Sequence, residues 1–110
     1  MPGPLAAAAA TLVALALFAP LAGAASTLSI PAAREKSAQF AESTCAQDQS
    51  CIRNGVLNCR RDSPRIAFCR IFLQRHTEAQ GRYTCNRLIR LSMDPKTHRI
   101  PVTGLGRWHC

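Results

Sequence analysis

Residues 62–81 read DSPRIAFCRIFLQRHTEAQG, the segment with the strongest signals for regular secondary structure. A helix over about residues 64–79 is favoured, because a serine or aspartate can cap it, Pro64 occupies its first position and Gly81 follows its end. The isoleucine and phenylalanine content of residues 66–73 also suits a buried strand, which is the alternative. The capping signals favour the helix over the strand, so a helix is predicted for this stretch.

Downstream of this stretch, two segments predict an antiparallel β-hairpin. Residues 82–93 alternate apolar and polar side chains well enough for a strand. The sequence DPKTH at 94–98 favours a turn, and residues 99–103 return as a second strand that Pro101 confines to a sheet edge. One main helix and one hairpin predict a small α+β domain.

Two upstream segments leave alternatives open. Asn54-Gly55 lies between two short apolar pairs and favours a turn, although the glycine could also end a helix. Residues 25–44 contain few large apolar side chains. They are predicted as either a weakly ordered N-terminal arm or a peripheral helix opened by Pro31.

Six cysteines fall within residues 45–110, which are predicted to form one cysteine-rich basic domain. Their spacing contains no C-x2-C pair and fits no zinc module, so three disulfides are predicted, with no metal and no cofactor. Six cysteines allow about 15 pairings, so the connectivity stays open. A domain of this size is marginal on burial alone, and crosslinks are expected to stabilise it. The predicted disulfide cysteines are Cys45, Cys51, Cys59, Cys69, Cys85 and Cys110.

Residues 1–24 are predicted to be a signal peptide. Their apolar run, LAAAAATLVALALF at 5–18, has 14 residues, fewer than the about 20 that cross a membrane as a helix. Ala22 and Ala24 have the spacing of a cleavage site, so cleavage is expected after Ala24. A retained membrane anchor is the alternative, since no Lys or Arg precedes the run. The expected location is extracellular, or periplasmic in a bacterium.

The charge is strongly basic and concentrated in the cysteine-rich part. Residues 45–110 hold twelve basic and four acidic residues, which equals the whole net charge of +8. Most of the basic residues are arginines, whose guanidinium groups bind phosphate or carboxylate in planar, bidentate contacts. A charged surface can also serve solubility alone. The predicted partner is an anionic macromolecule or surface, such as nucleic acid, sulfated glycan or acidic lipid headgroups. The candidate binding residues are Arg82, Arg87, Arg90, Arg99 and Arg107.

Two alternative functions use other residues. A small secreted ribonuclease would need two imidazoles and a cationic group, for which His98, His109 and Arg107 are the candidates. The dibasic pair Arg60-Arg61 resembles a processing site and would suit a signalling ligand with a protein receptor. No motif of another enzyme class is present. The sequence therefore predicts a cationic interaction protein of the effector, toxin or antimicrobial type, without assigned catalytic residues and with its oligomeric state open.

Overall fold

A computed structural model describes residues 27–110 of the chain. The predicted signal peptide 1–24 and its cleavage site lie outside the described residues. Within residues 27–110, one helix and four strands follow in order: α1 Ile30–Ala46, β1 Cys51–Ser63, β2 Ile66–Thr77, β3 Gly81–Ser92 and β4 Val102–His109. The strands form one antiparallel sheet in the order β1-β2-β3-β4. The α+β class is confirmed.

The helix predicted over about residues 64–79 is wrong, because this stretch forms strand β2. Every second residue of its first part is buried: Ala67, Cys69, Ile71 and Leu73. This period of two is that of a strand with one covered face. The signals taken for helix caps belong to two hairpin turns, since Pro64 lies between β1 and β2 and Gly81 takes the left-handed φ of 68° where β3 begins.

The helix lies upstream instead, at Ile30–Ala46. The Ser29 side chain caps it by accepting a 3.2 Å hydrogen bond from the Ala32 backbone N–H, and Pro31 occupies the first turn. The residues that α1 buries are small and four apart: Ala33, Ser37 and Ala41. Small side chains let the helix lie close to the sheet, and they give the sequence no broad apolar stripe.

The core lies between α1 and one face of the sheet. Ile71 of β2 and Ile89 and Leu91 of β3 are fully buried, together with Leu28 ahead of the helix. Phe40, Val56 and Trp108 pack at the margin of this cluster. Of the segment predicted as an arm or peripheral helix, the described residues 27–44 therefore contribute Leu28 and helical residues to the core.

Three disulfides hold this arrangement, as predicted from the cysteine pattern. They join the end of α1 to the start of β1, adjacent positions of β1 and β2, and β3 to the residue after β4. The pairs are Cys45–Cys51, Cys59–Cys69 and Cys85–Cys110. Cys59 and Cys69 are direct register partners, so the second bond crosslinks two strands that are already hydrogen-bonded.

The predicted hairpin is confirmed, but its second strand runs over Val102–His109 instead of 99–103. The intervening loop is held by Asp94, whose carboxylate accepts hydrogen bonds from the backbone N–H groups of Lys96 and Thr97 at 2.7 and 3.0 Å. This local turn keeps residues 99–101 outside the regular ladder. The predicted turn at Asn54-Gly55 is also wrong, since both residues lie inside β1 and pair with β2.

Ser37 offers a test of the helix–sheet contact. Its hydroxyl is completely buried and has no hydrogen-bond partner among residues 27–110. An unsatisfied buried polar group costs about 1–3 kcal/mol. Ser37→Ala is therefore expected to raise the free energy of unfolding by about 1 kcal/mol or more, measured by urea denaturation.

The control is Ser43→Ala, at an exposed position of the same helix. This substitution raises the free energy of unfolding by the gain in helix propensity, about 0.5 kcal/mol, without removing a buried hydroxyl. Equal gains for the two variants would contradict the assignment of an unsatisfied group at Ser37.

Candidate functional site

The sheet has a second face, turned away from α1, and we call it the open face. Its position follows from β2, where residues that alternate with the buried ones point to the other side. Direct register partners on β1, β3 and β4 share that side. The charged and aromatic residues of the open face on the first three strands are Arg53, Arg60, Phe68, Arg70, Phe72, His76, Arg82 and Arg90.

Two phenylalanines of β2 pair with arginines of β1 on the open face. The Arg53 guanidinium carbon lies 5.8 Å from the Phe72 ring centroid, and that of Arg60 lies 5.5 Å from the Phe68 centroid. Both distances are within the range of cation–π attraction. Gly55 makes room for one ring, since a Cβ there would lie 2.7 Å from Phe72 Cε1. The face thus carries two partly exposed aromatic rings beside two exposed arginines.

The remaining arginines of the open face lie on β2 and β3. Arg70 Nη1 donates a 2.7 Å hydrogen bond to Asn86 Oδ1, which fixes the guanidinium between the two phenylalanines. Arg82 and Arg90 are exposed, and Arg90 is the direct register partner of Phe68. Among residues 27–110, no aspartate or glutamate occupies a register-paired position of this face. Five arginines therefore share one side of the sheet without a paired acid.

Two aspartates are held in turns, outside the register-paired positions of the open face. Asp48, in the turn after α1, accepts a hydrogen bond from the Ser50 hydroxyl and forms a 2.9 Å salt bridge with Arg75. The hydrogen bonds from Ser50, together with Arg75, lower the pKa of Asp48. The backbone N–H groups of Thr97 and Lys96 lower the pKa of Asp94 in the same way. These two carboxylates therefore stabilise turns.

The five predicted binding arginines do not converge. Arg82 and Arg90 lie on the open face, as described above. Arg87 lies on the helix side, where its guanidinium stacks 5.9 Å from the Trp108 ring and its Nε is buried. Arg99 belongs to the loop between β3 and β4 and lines an open cleft of about 590 Å³. Arg107 lies in β4, opposite the register shift at Arg87. Their role in binding stays a prediction.

Sequence reasoning missed Arg53, Arg60, Arg70 and the two phenylalanines. The signal for three of them was present, because Phe68, Arg70 and Phe72 follow one another at every second residue. On a helix Phe68 and Phe72 share one face and Arg70 points away from it, so the predicted helix separated the arginine from the two rings. With a strand at this position they share one face.

The histidines proposed for a ribonuclease are not brought together. His98 lies in the loop before β4, and His109 is the last residue of that strand. The strand between them extends by roughly 23 Å at about 3.3 Å per residue. Within the described part of the chain, no three His, Cys, Asp or Glu side chains form a group that could hold a metal ion. Acid–base catalysis by His98 and His109 across one cleft has no geometric support.

Comparison with protein-family models, with curated proteins and with solved structures finds no match to this chain. The open face is therefore the basis for a functional proposal. Among residues 27–110, no helix is both long enough and apolar enough to cross a membrane. Three disulfides are typical of proteins that fold in an oxidising compartment.

Proposed function

We propose that this protein is an exported cationic binding protein, of the effector, toxin or antimicrobial type, whose open face engages an anionic macromolecule or surface. The single observation that carries the proposal is the gathering of Arg53, Arg60, Arg70, Arg82 and Arg90 on one face without a paired acid. Interspersed charges of both signs are enough to keep a surface soluble, so solubility alone does not require a face of one sign. A face of one sign instead attracts and orients an oppositely charged partner.

The rigidity of the support favours this proposal. All five arginines stand on strands that are joined directly by a disulfide or paired on both sides. Groups held on regular strands lose less conformational freedom on binding than groups on flexible loops, which leaves more of the interaction energy as affinity. A guanidinium also suits sulfate and phosphate oxygens through bidentate contacts.

The salt dependence of binding tests this function. Affinities of the wild-type chain are measured by fluorescence anisotropy for a labelled single-stranded oligonucleotide and for labelled heparin, and by sedimentation for phosphatidylserine vesicles. If five arginines contact phosphates of the oligonucleotide, the logarithm of the association constant is expected to fall linearly with the logarithm of the salt concentration. The expected slope is about −3.5. Between about 50 and 200 mM salt, this corresponds to roughly a 100-fold loss of affinity.

The contradicting result is that none of the three anionic probes binds, or that binding does not respond to salt. A saturable, salt-insensitive interaction with a protein receptor would favour the signalling ligand instead. RNA cleavage that is abolished by replacing either His98 or His109 would favour the ribonuclease.

A further inference from the structure

We infer that the anion recognised by the open face is a single-stranded nucleic acid, whose bases stack on Phe68 and Phe72 while the surrounding arginines contact its phosphates. This inference rests on the proposed function and narrows it to one ligand class. Charge alone does not separate nucleic acid from sulfated glycan or acidic lipid headgroups. The two aromatic rings distinguish nucleic acid from the other two ligands, because every base offers a flat π-face that stacks on an aromatic side chain.

The rings occupy the part of the open face that is best placed to meet a ligand. Phe68 and Phe72 both lie on β2, an inner strand with neighbours on either side. Both side chains are partly exposed, and the apolar core lies on the other side of the sheet. Large aromatic groups in this position are not needed for that core. They provide an apolar surface surrounded by positively charged side chains.

The spacing of the rings favours a single strand over a duplex. Phe68 and Phe72 are four residues apart on a strand, which places them about 13 Å from each other. Neighbouring bases in a duplex are stacked about 3.4 Å apart along each strand and cannot separate to meet both rings. A single strand can splay its bases onto aromatic side chains. Arg70, fixed between the rings, is placed to contact the connecting backbone.

Polar side chains beside the rings also suit a single-stranded nucleic acid. Asn86 is the direct register partner of Phe72, and Gln74 is the partner of Thr84 on the same face. Amide and hydroxyl groups can hydrogen-bond the exposed edges of splayed bases. A sulfated glycan would use the arginines, but its saturated sugar rings have no π-face to stack on the phenylalanines.

The existing arginine–phenylalanine pairs do not block such stacking. A cation–π contact at an exposed site changes an equilibrium constant by only about two- to fivefold. Stacking of a base on an aromatic side chain contributes about five- to 150-fold per base. Exchange of the Arg53 guanidinium for a base on Phe72 is therefore favourable. It also frees the guanidinium to contact a flanking phosphate.

The first test replaces the aromatic ring and keeps an apolar side chain. Phe72→Leu is expected to weaken binding of an oligodeoxythymidine single strand by about five- to 150-fold, while heparin affinity stays unchanged. Phe40→Leu is the matched control, since Phe40 lies on α1 and packs against the core. It is expected to change neither affinity. Circular dichroism and thermal unfolding verify that both variants fold.

A second measurement reports stacking directly. Trp108 is the only tryptophan in the sequence, so Trp108→Phe removes the native signal and Phe72→Trp in that background places one on the open face. Saturating oligodeoxythymidine is expected to quench its fluorescence, and heparin is not. Unchanged oligonucleotide affinity in Phe72→Leu, an equal loss for both ligands, or absence of quenching would overturn the stacking inference and leave polyanion binding standing. Failure of the wild-type chain to bind any polyanion would overturn both.

Discussion

Replacing Cys85 and Cys110 together by alanine is expected to lower the free energy of unfolding by about 3.5 kcal/mol. The two residues are 25 positions apart, the widest separation among the three disulfides. The bond restrains the end of β4, an edge strand that pairs only with β3. Without the bond, Trp108 loses the link that holds it against the core cluster. The unfolded chain also regains the conformational entropy that closure of a long loop removes.

Thermal and urea unfolding of the oxidised proteins measure this effect. A loss of this size lowers the midpoint temperature by roughly 15–25 °C in a domain of fewer than 100 residues. The control replaces Cys45 and Cys51 together, whose separation is only 6. Its expected cost is about 2 kcal/mol, because a shorter loop loses less entropy on closure. A larger loss in the control than in the Cys85 and Cys110 variant would contradict this account.

Replacing Arg53, Arg60 and Arg90 together by glutamine is expected to weaken oligonucleotide binding by about 100-fold at 0.1 M salt. Each lost phosphate contact of a single strand reduces the magnitude of the salt slope by about 0.7, so this magnitude falls by about 2. All three side chains are exposed and lie on the open face. Their removal is expected to have little effect on stability, since exposed charges contribute little to it.

The control for this variant has the same net charge of +5, from the native +8 less three arginines. It replaces Arg34 on α1, Arg61 on β1 and Arg65 in the following turn by glutamine. Arg60 and Arg61 are sequence neighbours on opposite faces, since one pairs with Phe68 and the other with the buried Ala67. Similar losses in both triple variants would show that total charge, and not the open face, determines binding.

The disulfides and the hairpin could be predicted because their signals are local or compositional. Six cysteines without metal spacing indicate three bonds, and a turn such as DPKTH needs no distant partner. The conformation of residues 62–81 was not decided locally. Pro64 and Gly81 suit helix ends and hairpin turns equally, and pairing of β2 with strands on both sides favours the extended form.

Helix α1 could not be predicted with certainty from the sequence, for a different reason. Its buried stripe of Ala33, Ser37 and Ala41 lacks the large apolar side chains by which amphipathic helices are found. The alternation of Phe68, Arg70 and Phe72 becomes informative only once β2 is known to be a strand. Arg53 and Arg60 join them through the register of β1, which shifts at three places. No pattern in the sequence of β1 predicts those shifts.

The most direct test of the open face as the binding surface is an NMR titration of the labelled protein with oligodeoxythymidine, followed through the arginine Nε–Hε signals. We expect the largest changes at Arg53, Arg60, Arg70 and Arg90, with Arg34 and Arg61 nearly unaffected. Changes confined to Arg99 beside the loop cleft, or to Arg34 on α1, would contradict binding at the open face.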